Sequence, residues 1–193
     1  MIGLPDKRYH VVYADPPWQY RDKKRSGRKM GFGAENVYPC LALEELAAIP
    51  VRDLAEEDSV LFVWATFPLI QTALDLIPAW GFEYKTLGFS WIKTNKDGTP
   101  CFGVGSYTKS NCEVCLMATR GHVGRLIKGR EDDGTLRVRS NHVSSVVMAR
   151  RRKHSQKPGE VRERIVALFG DVSRIELFAR ETAEGWDSWG DEL

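Results

Sequence analysis

Tyr9-His10-Val11-Val12-Tyr13-Ala14-Asp15-Pro16-Pro17-Trp18 joins an apolar run to two consecutive prolines. β-branched and aromatic residues dominate Tyr9 to Ala14, which predicts a buried β-strand. The strand must end there, because proline has a fixed φ and no backbone N–H to donate to a neighbouring strand. We therefore expect Asp15 and Trp18 on a stiff, extended platform at the carboxyl end of the strand.

The rest of the chain alternates predicted strands and helices. Further strands are predicted at 59–65, 82–92, 113–118, 144–148 and 174–179, and helices at 43–49, 68–77 (ended by Pro78) and 160–169. This alternation predicts an α/β fold with a mostly parallel sheet and helices on both faces. Ligands of such sheets bind beyond the carboxyl ends of the strands, where segments 15–18, 94–111 and 180–190 would lie.

Length and composition set the class of protein. The 193 residues predict a single domain over residues 1–193. The hydrophobic fraction of 42% and the charged fraction of 28% exclude a disordered, collagen-like or coiled-coil chain. Apolar runs fall far short of the ~20 residues of a membrane span, and residues 1–10 lack the apolar core of a signal peptide. We therefore expect a cytoplasmic protein without a membrane partner.

Two cysteines form a C-x-x-C pair, Cys112 and Cys115, within the apolar run Cys112–Ala118. A zinc site would need a second such pair, which the sequence lacks. A buried strand is favoured over a metal or redox site, and no metal is expected.

The charge is segregated along the chain. Net charge is only +2, but residues 120–157 hold 11 Lys and Arg against 3 acids, and residues 21–29 hold 6 against 1. Such basic segments are typical of polyanion binders, although one run alone is more often a solvated loop. The arginines expected to contact nucleic acid are Arg120, Arg125, Arg150 and Arg151.

The residues after the first strand suit a planar base with an exocyclic amine. The Asp15 carboxylate and the Pro16 carbonyl could accept the two amine hydrogens, while the Trp18 ring stacks on the base. The alternative is a strand-ending turn with a core tryptophan.

Asp15-Pro16-Pro17-Trp18 resembles the signature of the MT-A70 family of N6-adenine methyltransferases. Further segments resemble that family in its order: Tyr38 with Leu43-Glu44-Glu45-Leu46, Leu61-Phe62-Val63-Trp64, Ala79-Trp80-Gly81-Phe82, Trp91-Ile92-Lys93-Thr94-Asn95, His154-Ser155-Gln156-Lys157-Pro158, Glu176-Leu177-Phe178-Ala179-Arg180 and Gly185-Trp186. The resemblance covers roughly residues 9–192.

The resemblance implies a Rossmann-like fold and S-adenosylmethionine as methyl donor. It divides the domain into a catalytic half (9–95), recognition loops (96–143) and a cofactor-binding half (144–193). The implied catalytic residues are Asp15, Pro16, Pro17 and Trp18. The implied cofactor-binding residues are Asp15, Lys157, Glu176, Leu177, Arg180, Asp191 and Glu192, and the substrate-binding residues are Trp18, Tyr38 and Asn111 with the four arginines.

The position of Lys157 in the sequence also favours a carboxylate-binding role on physical grounds. Pro158 is expected at the first helical position, which would hold Lys157 at a helix N-terminus, where carboxylates bind well. The resemblance makes the bound group the methionine carboxylate of the donor. The alternative is a solvated lysine.

The sequence departs from the family pattern in several places. Asp191 stands where the family has Asn, and Cys40 where it has Thr. A cofactor-binding loop upstream of the first strand and a His-Asn pair after Arg180 are not evident. The departure at Asp191 bears on the affinity for the donor, and the departure at Cys40 bears on the loop at the substrate side.

The predicted function is methyl transfer to the N6 amine of adenine in DNA, with duplex DNA as the expected partner. In a duplex the adenine must first be extruded from the stack, and Trp18 and Tyr38 would flank it. The alternatives are adenine in RNA, a free small amine, and a non-catalytic nucleic-acid-binding subunit. A homodimer and a heteromeric partner both stay open.

Overall fold

The computed structural model describes residues 3–19, 40–103, 107–127, 142–151, 156–191 and 193. Its strands are β1 (Tyr9–Ala14), β2 (Ala55–Ala65), β3 (Glu83–Thr94), β4 (Cys112–Arg120), β5 (Val146–Arg150), β6 (Arg174–Leu177) and β7 (Asp187–Trp189). Its helices are α1 (Leu43–Ala47), α2 (Val51–Leu54), α3 (Ile70–Ala79), α4 (Gly124–Ile127) and α5 (Glu160–Phe169). No helix in the described ranges has the length and apolar character needed to cross a membrane.

Within the described residues the seven strands form one sheet in the order β5-β3-β4-β2-β1-β6-β7. The pairs β1–β2, β1–β6, β6–β7 and β3–β5 are parallel, and β4 is antiparallel to both β2 and β3. The predicted mostly parallel sheet is confirmed. One edge of the sheet therefore collects the carboxyl ends of the parallel strands together with the amino end of β4, and we call it the carboxyl edge.

Helices cover both faces of the sheet, as predicted for a Rossmann-like fold. Successive residues of β1 point to opposite faces, so that Val12 belongs to one core cluster and Val11 to the other. The first cluster includes buried side chains of α1, α2 and α3, and the second includes those of α5. The sheet is thus the middle layer between two layers of helices, and loops lie at its carboxyl edge.

Most predicted elements are found, with shifted ends. The bounds of β1 and α5 are as predicted, whereas the helix expected at 43–49 is α1, which ends at Ala47, and the short helix α2 was not predicted. The helix expected at 68–77 begins at Ile70 after a 3₁₀ turn and includes Pro78 in its last turn. It ends at Ala79, and Gly81, two residues later, has a left-handed φ of 84° that suits glycine. The three-residue strand β7 was not predicted.

Candidate active site

A buried ion pair lies at the centre of the carboxyl edge. Asp15 follows β1 directly, and Lys157 lies three residues before α5. The Lys157 Nζ atom is 2.7 Å from Asp15 Oδ1, and the two side chains are only 11% and 15% exposed. Lys157 is therefore not the solvated lysine of the alternative reading. The helix begins at Glu160, as its predicted range gives, so Pro158 precedes it rather than being its first residue.

Two further charged residues extend this ion pair across the sheet. Glu113, near the start of β4, has Oε2 3.3 Å from Lys157 Nζ and Oε1 2.5 Å from the Nζ of Lys93 on β3. The four side chains alternate in sign in the order Asp15, Lys157, Glu113, Lys93, and we call them the charge row. Because β4 is antiparallel, its first residues lie beside the last residues of β3.

Burial and charge act against each other on the pKa values of the charge row. Burial raises the pKa of Asp15, and Lys157 only partly opposes that shift. Burial raises the pKa of Glu113 less than its two lysine partners lower it, so the value falls below the usual range. Burial likewise opposes the charge on Lys157, but the two carboxylates outweigh it and raise its pKa. The lysine thus stays protonated between two acids.

Tryptophan rings form the floor beneath the charge row. The ring centroid of Trp64, on β2, is 5.6 Å from Lys157 Nζ, and that of Trp91 is 5.2 Å from Lys93 Nζ. The two indoles meet edge to face at 6.4 Å, and the Trp64 Nε1–H donates a 2.7 Å hydrogen bond to the Tyr13 hydroxyl. Such an apolar floor lowers the local dielectric constant and strengthens the charge interactions above it.

The backbone after Asp15 is held rigidly. The Pro16 carbonyl accepts a 2.9 Å hydrogen bond from the Trp18 amide, and the Pro17 carbonyl accepts one of 2.8 Å from the Leu41 amide. A carbonyl oxygen has two lone pairs, so Pro16 can accept a second hydrogen bond. These two hydrogen bonds fix the backbone of the platform predicted from the two prolines and leave one lone pair of the Pro16 carbonyl unused by them.

Trp18 does not lie at the surface of the site. Its side chain is 6% exposed, packs in the first core cluster, and donates its indole N–H to the Trp64 carbonyl at 2.9 Å. The structure thus supports the alternative reading of a strand-ending turn with a core tryptophan. We correct the expectation that Trp18 stacks on the substrate base: its ring ties the end of β1 to the end of β2.

The expected cofactor-binding residues fall into two groups. Arg180, half-buried after β6, is close enough to Asp15 to lower its pKa. Asp191 is exposed after β7. Leu177 is a fully buried core residue, and the buried Glu176 is engaged in an ion pair, so neither side chain presents itself to a ligand. Glu192 lies outside the described residues.

Glu176 is neutralised by Arg162, a residue of α5 that sequence reasoning missed. Arg162 Nε is 2.6 Å from Glu176 Oε2, and its Nη1 is 3.0 Å from Glu181 Oε1. Burial raises the pKa of Glu176, and the guanidinium only partly opposes this shift. This ion pair fastens α5 to β6 behind the candidate site.

The expected substrate-binding residues are divided between the two edges of the sheet. Arg150 and Arg151 are exposed at the carboxyl edge, where β5 ends. Asn111 is near them, but its amide pairs with the backbone N–H and C=O of Lys93, at 3.0 and 3.1 Å. It therefore acts as a clamp for the loop between β3 and β4.

Arg120 is not brought together with the other expected substrate-binding residues. It ends β4, whose antiparallel direction carries it to the opposite edge, and its Nη1 donates to the Arg52 carbonyl at 2.9 Å. Arg125 follows in α4, after β4 has left the carboxyl edge, and its side chain lies outside the described part. Tyr38, expected to flank the base, also lies outside it.

Glu113 and Lys93 are the functional candidates that sequence reasoning missed. Glu113 lies in a predicted apolar strand, and Lys93 belongs to a segment that resembles the family without an implied role. A single acid at the start of an otherwise apolar strand was the available signal, because an ionised side chain in such a position needs a partner.

The C-x-x-C pair is part of β4, as predicted. Cys115 is fully buried, and burial raises the pKa of its thiol well above the usual range. Among the residues that the structure describes, no three His, Cys, Asp or Glu side chains are grouped in a way that would hold a metal ion.

Comparison with known proteins places the chain in a family. The MT-A70 family model matches residues 9–192. The type II methyltransferase M.MunI of Mycoplasma sp. is 35% identical, over 98% of this chain and 80% of its own length. Human METTL4, an N(6)-adenine-specific methyltransferase, is 28% identical over 97% of this chain and 38% of its own. The N6-methyladenosine RNA methyltransferase MTA1 of Cryphonectria parasitica is 29% identical over 96% and 52%. The chain belongs to the MT-A70 family.

Proposed function

We propose that this protein transfers a methyl group from S-adenosylmethionine to the N6 amine of adenine in DNA. The observation that carries the proposal is the buried Asp15, held by Lys157 immediately before the rigid Pro16-Pro17 platform, in a chain of this family. An ionised acceptor beside a fixed carbonyl is the arrangement that an aromatic amine with two hydrogens requires.

The charges at the carboxyl edge fit the amino-acid end of the donor. That end carries one carboxylate and one ammonium group, and the site offers a cation and an anion 2.7 Å apart, Lys157 and Asp15. Lys157 and Arg180 would hold the carboxylate, and Asp15 would attract the ammonium group. When bound, the donor supplies an electrophilic methyl group on a sulfonium sulfur.

The chain's own residues activate and position the amine. The adenine amine is a weak nucleophile because its lone pair is delocalised into the ring. Hydrogen bonds from both amine hydrogens, to the Asp15 carboxylate and the Pro16 carbonyl, favour the pyramidal form, in which the lone pair is available. Lys157 opposes the rise that burial causes in the pKa of Asp15 and holds the carboxylate in place. Transfer would form the N6–C bond and break the S–CH3 bond, so that the donor leaves as a neutral thioether and the methylated amine loses its surplus proton, along its hydrogen bond to Asp15, to water. Catalysis then rests on positioning and electrostatics rather than on a base that titrates near neutral pH.

DNA is the substrate that we favour. The type II methyltransferase is more similar to this chain and is matched over more of its length than the RNA methyltransferase, at 35% and 80% against 29% and 52%. The exposed Arg150 and Arg151 supply charge for backbone contacts at the carboxyl edge. RNA as substrate, and a binding subunit without catalysis, are the competing functions.

We further propose that the chain acts as one domain in the cytoplasm, where its nucleic-acid substrate and its donor occur. Segment 9–95 carries the catalytic platform, 96–143 the recognition loops, and 144–193 the donor site. The mass of the protein in solution, with and without duplex DNA, distinguishes a monomer from a homodimer or a heteromeric assembly.

The test is transfer of radiolabelled methyl groups to unmethylated duplex DNA, the same DNA heat-denatured, and RNA of the same sequence. We expect incorporation into DNA, and its loss in Asp15→Asn, which keeps the shape of the side chain. Asp187→Asn is the matched control, because it removes an exposed ion pair with Lys7, also 2.7 Å long, away from the site. Incorporation into RNA alone would change the substrate. Donor binding without transfer to any substrate would favour the binding subunit.

A further inference from the structure

Two aromatic side chains project from the loop between β3 and β4. Phe102 is 71% exposed and Tyr107 is fully exposed, whereas the tryptophans and most other aromatic residues of the described chain are buried or half-buried. Exposing large apolar rings to water costs free energy, so rings that project in this way at the rim of a site indicate a binding surface.

The loop that carries these rings is firmly anchored beside the charge row. The Cys101 amide donates to the Lys93 carbonyl at 2.8 Å, and the Gly103 amide donates to the Ser110 carbonyl at 2.6 Å. Asn111 closes the foot of the loop through its bonds to Lys93 and to the Cys101 carbonyl. The ammonium group of Lys93 reaches Glu113 in the charge row, so the loop foot and the site share a residue.

Exposed cations lie at the same edge of the sheet as the loop. The Lys109 ammonium is 5.6 Å from the centroid of the Phe102 ring. Lys96, Arg150 and Arg151 are exposed at the same edge, and an Arg150 N–H donates to the Lys96 carbonyl. Aromatic rings interleaved with cations form the surface on which nucleic-acid bases stack while the backbone is neutralised.

We propose that Phe102 and Tyr107 insert into duplex DNA and fill the gap that the extruded adenine leaves. Extrusion unstacks the neighbouring bases, and proteins that distort DNA commonly insert apolar side chains at such steps. Trp18, the residue that the sequence offered for stacking, is committed to the core. Phe102 and Tyr107 instead are exposed rings on a loop whose foot adjoins the charge row through Lys93. This inference rests on the proposed function.

The experiment measures methyl transfer to unmethylated duplex DNA and to the same DNA heat-denatured. We expect the double variant Phe102→Ala/Tyr107→Ala to lower kcat/KM on duplex DNA about tenfold or more, a factor within the range of base–aromatic stacking. Transfer to denatured DNA, where no gap must be filled, should fall by a smaller factor. Phe102→Trp should retain duplex activity, and Tyr84→Ala, at the far end of β3, is the control for an exposed aromatic residue.

Binding of a short fluorescein-labelled duplex, measured in parallel, separates this inference from the proposed function. If the wild-type protein transfers no methyl group, the proposed function fails, and weaker duplex binding by the double variant still supports the stacking surface. Unchanged kcat/KM and unchanged binding would overturn the inference. A change from dimer to monomer in the double variant, with duplex binding by the monomer intact, would show a protein interface and would overturn it as well.

Discussion

Replacing Lys157 by methionine tests the buried ion pair on which the site is built. Methionine keeps an unbranched chain of similar length but removes the ammonium group. Asp15 then loses its partner at 2.7 Å, whereas Glu113 loses a contact at 3.3 Å and keeps Lys93 at 2.5 Å. The consequence should therefore be concentrated on Asp15.

The magnitude follows from the distance and the burial. At an effective dielectric constant of about 20, two unit charges 2.7 Å apart attract by about 6 kcal/mol. Most of this offsets the removal of both charges from water, so the pair adds little net stability. Removing one partner alone is different, because the other charge stays buried, and the expected loss is about 3–5 kcal/mol.

The assay is equilibrium urea unfolding at neutral pH of the wild type, Lys157→Met, Asp15→Asn and the double variant. The single lysine variant should lose about 3–5 kcal/mol of unfolding free energy, and the double variant should regain more than half of it, because asparagine needs no cation. Lys7→Met, which removes an exposed pair with Asp187, should lose about 1 kcal/mol or less. Equal losses in Lys157→Met and Lys7→Met, or no recovery in the double variant, would refute the reasoning.

Three further predictions concern the surroundings of the site. The fold lowers the pKa of Glu113, so the stability that its carboxylate contributes is present above its unfolded pKa and is lost as the pH falls through the folded value. Glu113→Gln should therefore flatten the acid side of a plot of unfolding free energy against pH. Parallel curves for the wild type and the variant would contradict this. Arg162→Met leaves Glu176 buried without its guanidinium and should cost about 3–5 kcal/mol in urea unfolding, so a loss below about 1 kcal/mol would show that the pair is not buried in solution. Arg150→Ala should weaken duplex DNA binding and reduce the slope of log K against log salt concentration by about 1. Arg120→Ala, at the opposite edge, should leave that slope unchanged. Equal slopes in both variants would show that DNA does not bind at the carboxyl edge.

Much of the fold could be predicted from local patterns. The bounds of β1 follow from an apolar run stopped by two prolines, and those of α5 from an apolar stripe between Pro158 and Gly170. The carboxyl edge could also be predicted as the place of the site, because Asp15 ends a parallel strand and ligands of such sheets bind there. The three-residue β7 has too few residues to show a periodic pattern.

The site itself depends on contacts between distant segments, which local patterns do not specify. Nothing in Cys112–Arg120 indicates that β4 is antiparallel, yet that direction brings Glu113 to the site and carries Arg120 away from it. The burial of Trp18 likewise depends on a hydrogen-bond acceptor 46 residues further along the chain, the Trp64 carbonyl. Glu113 and Lys93, which pair across the sheet, could not be predicted as site residues for the same reason.

The most direct test of the central claim is to identify the atom that is methylated. Duplex DNA is incubated with the protein and a donor carrying a deuterated methyl group, digested to nucleosides, and analysed by mass spectrometry beside synthetic standards. We predict deuterated N6-methyldeoxyadenosine from the wild type and from Asp187→Asn, and none from Asp15→Asn. Label on cytosine, on another adenine nitrogen, or at an undiminished level with Asp15→Asn would contradict the account.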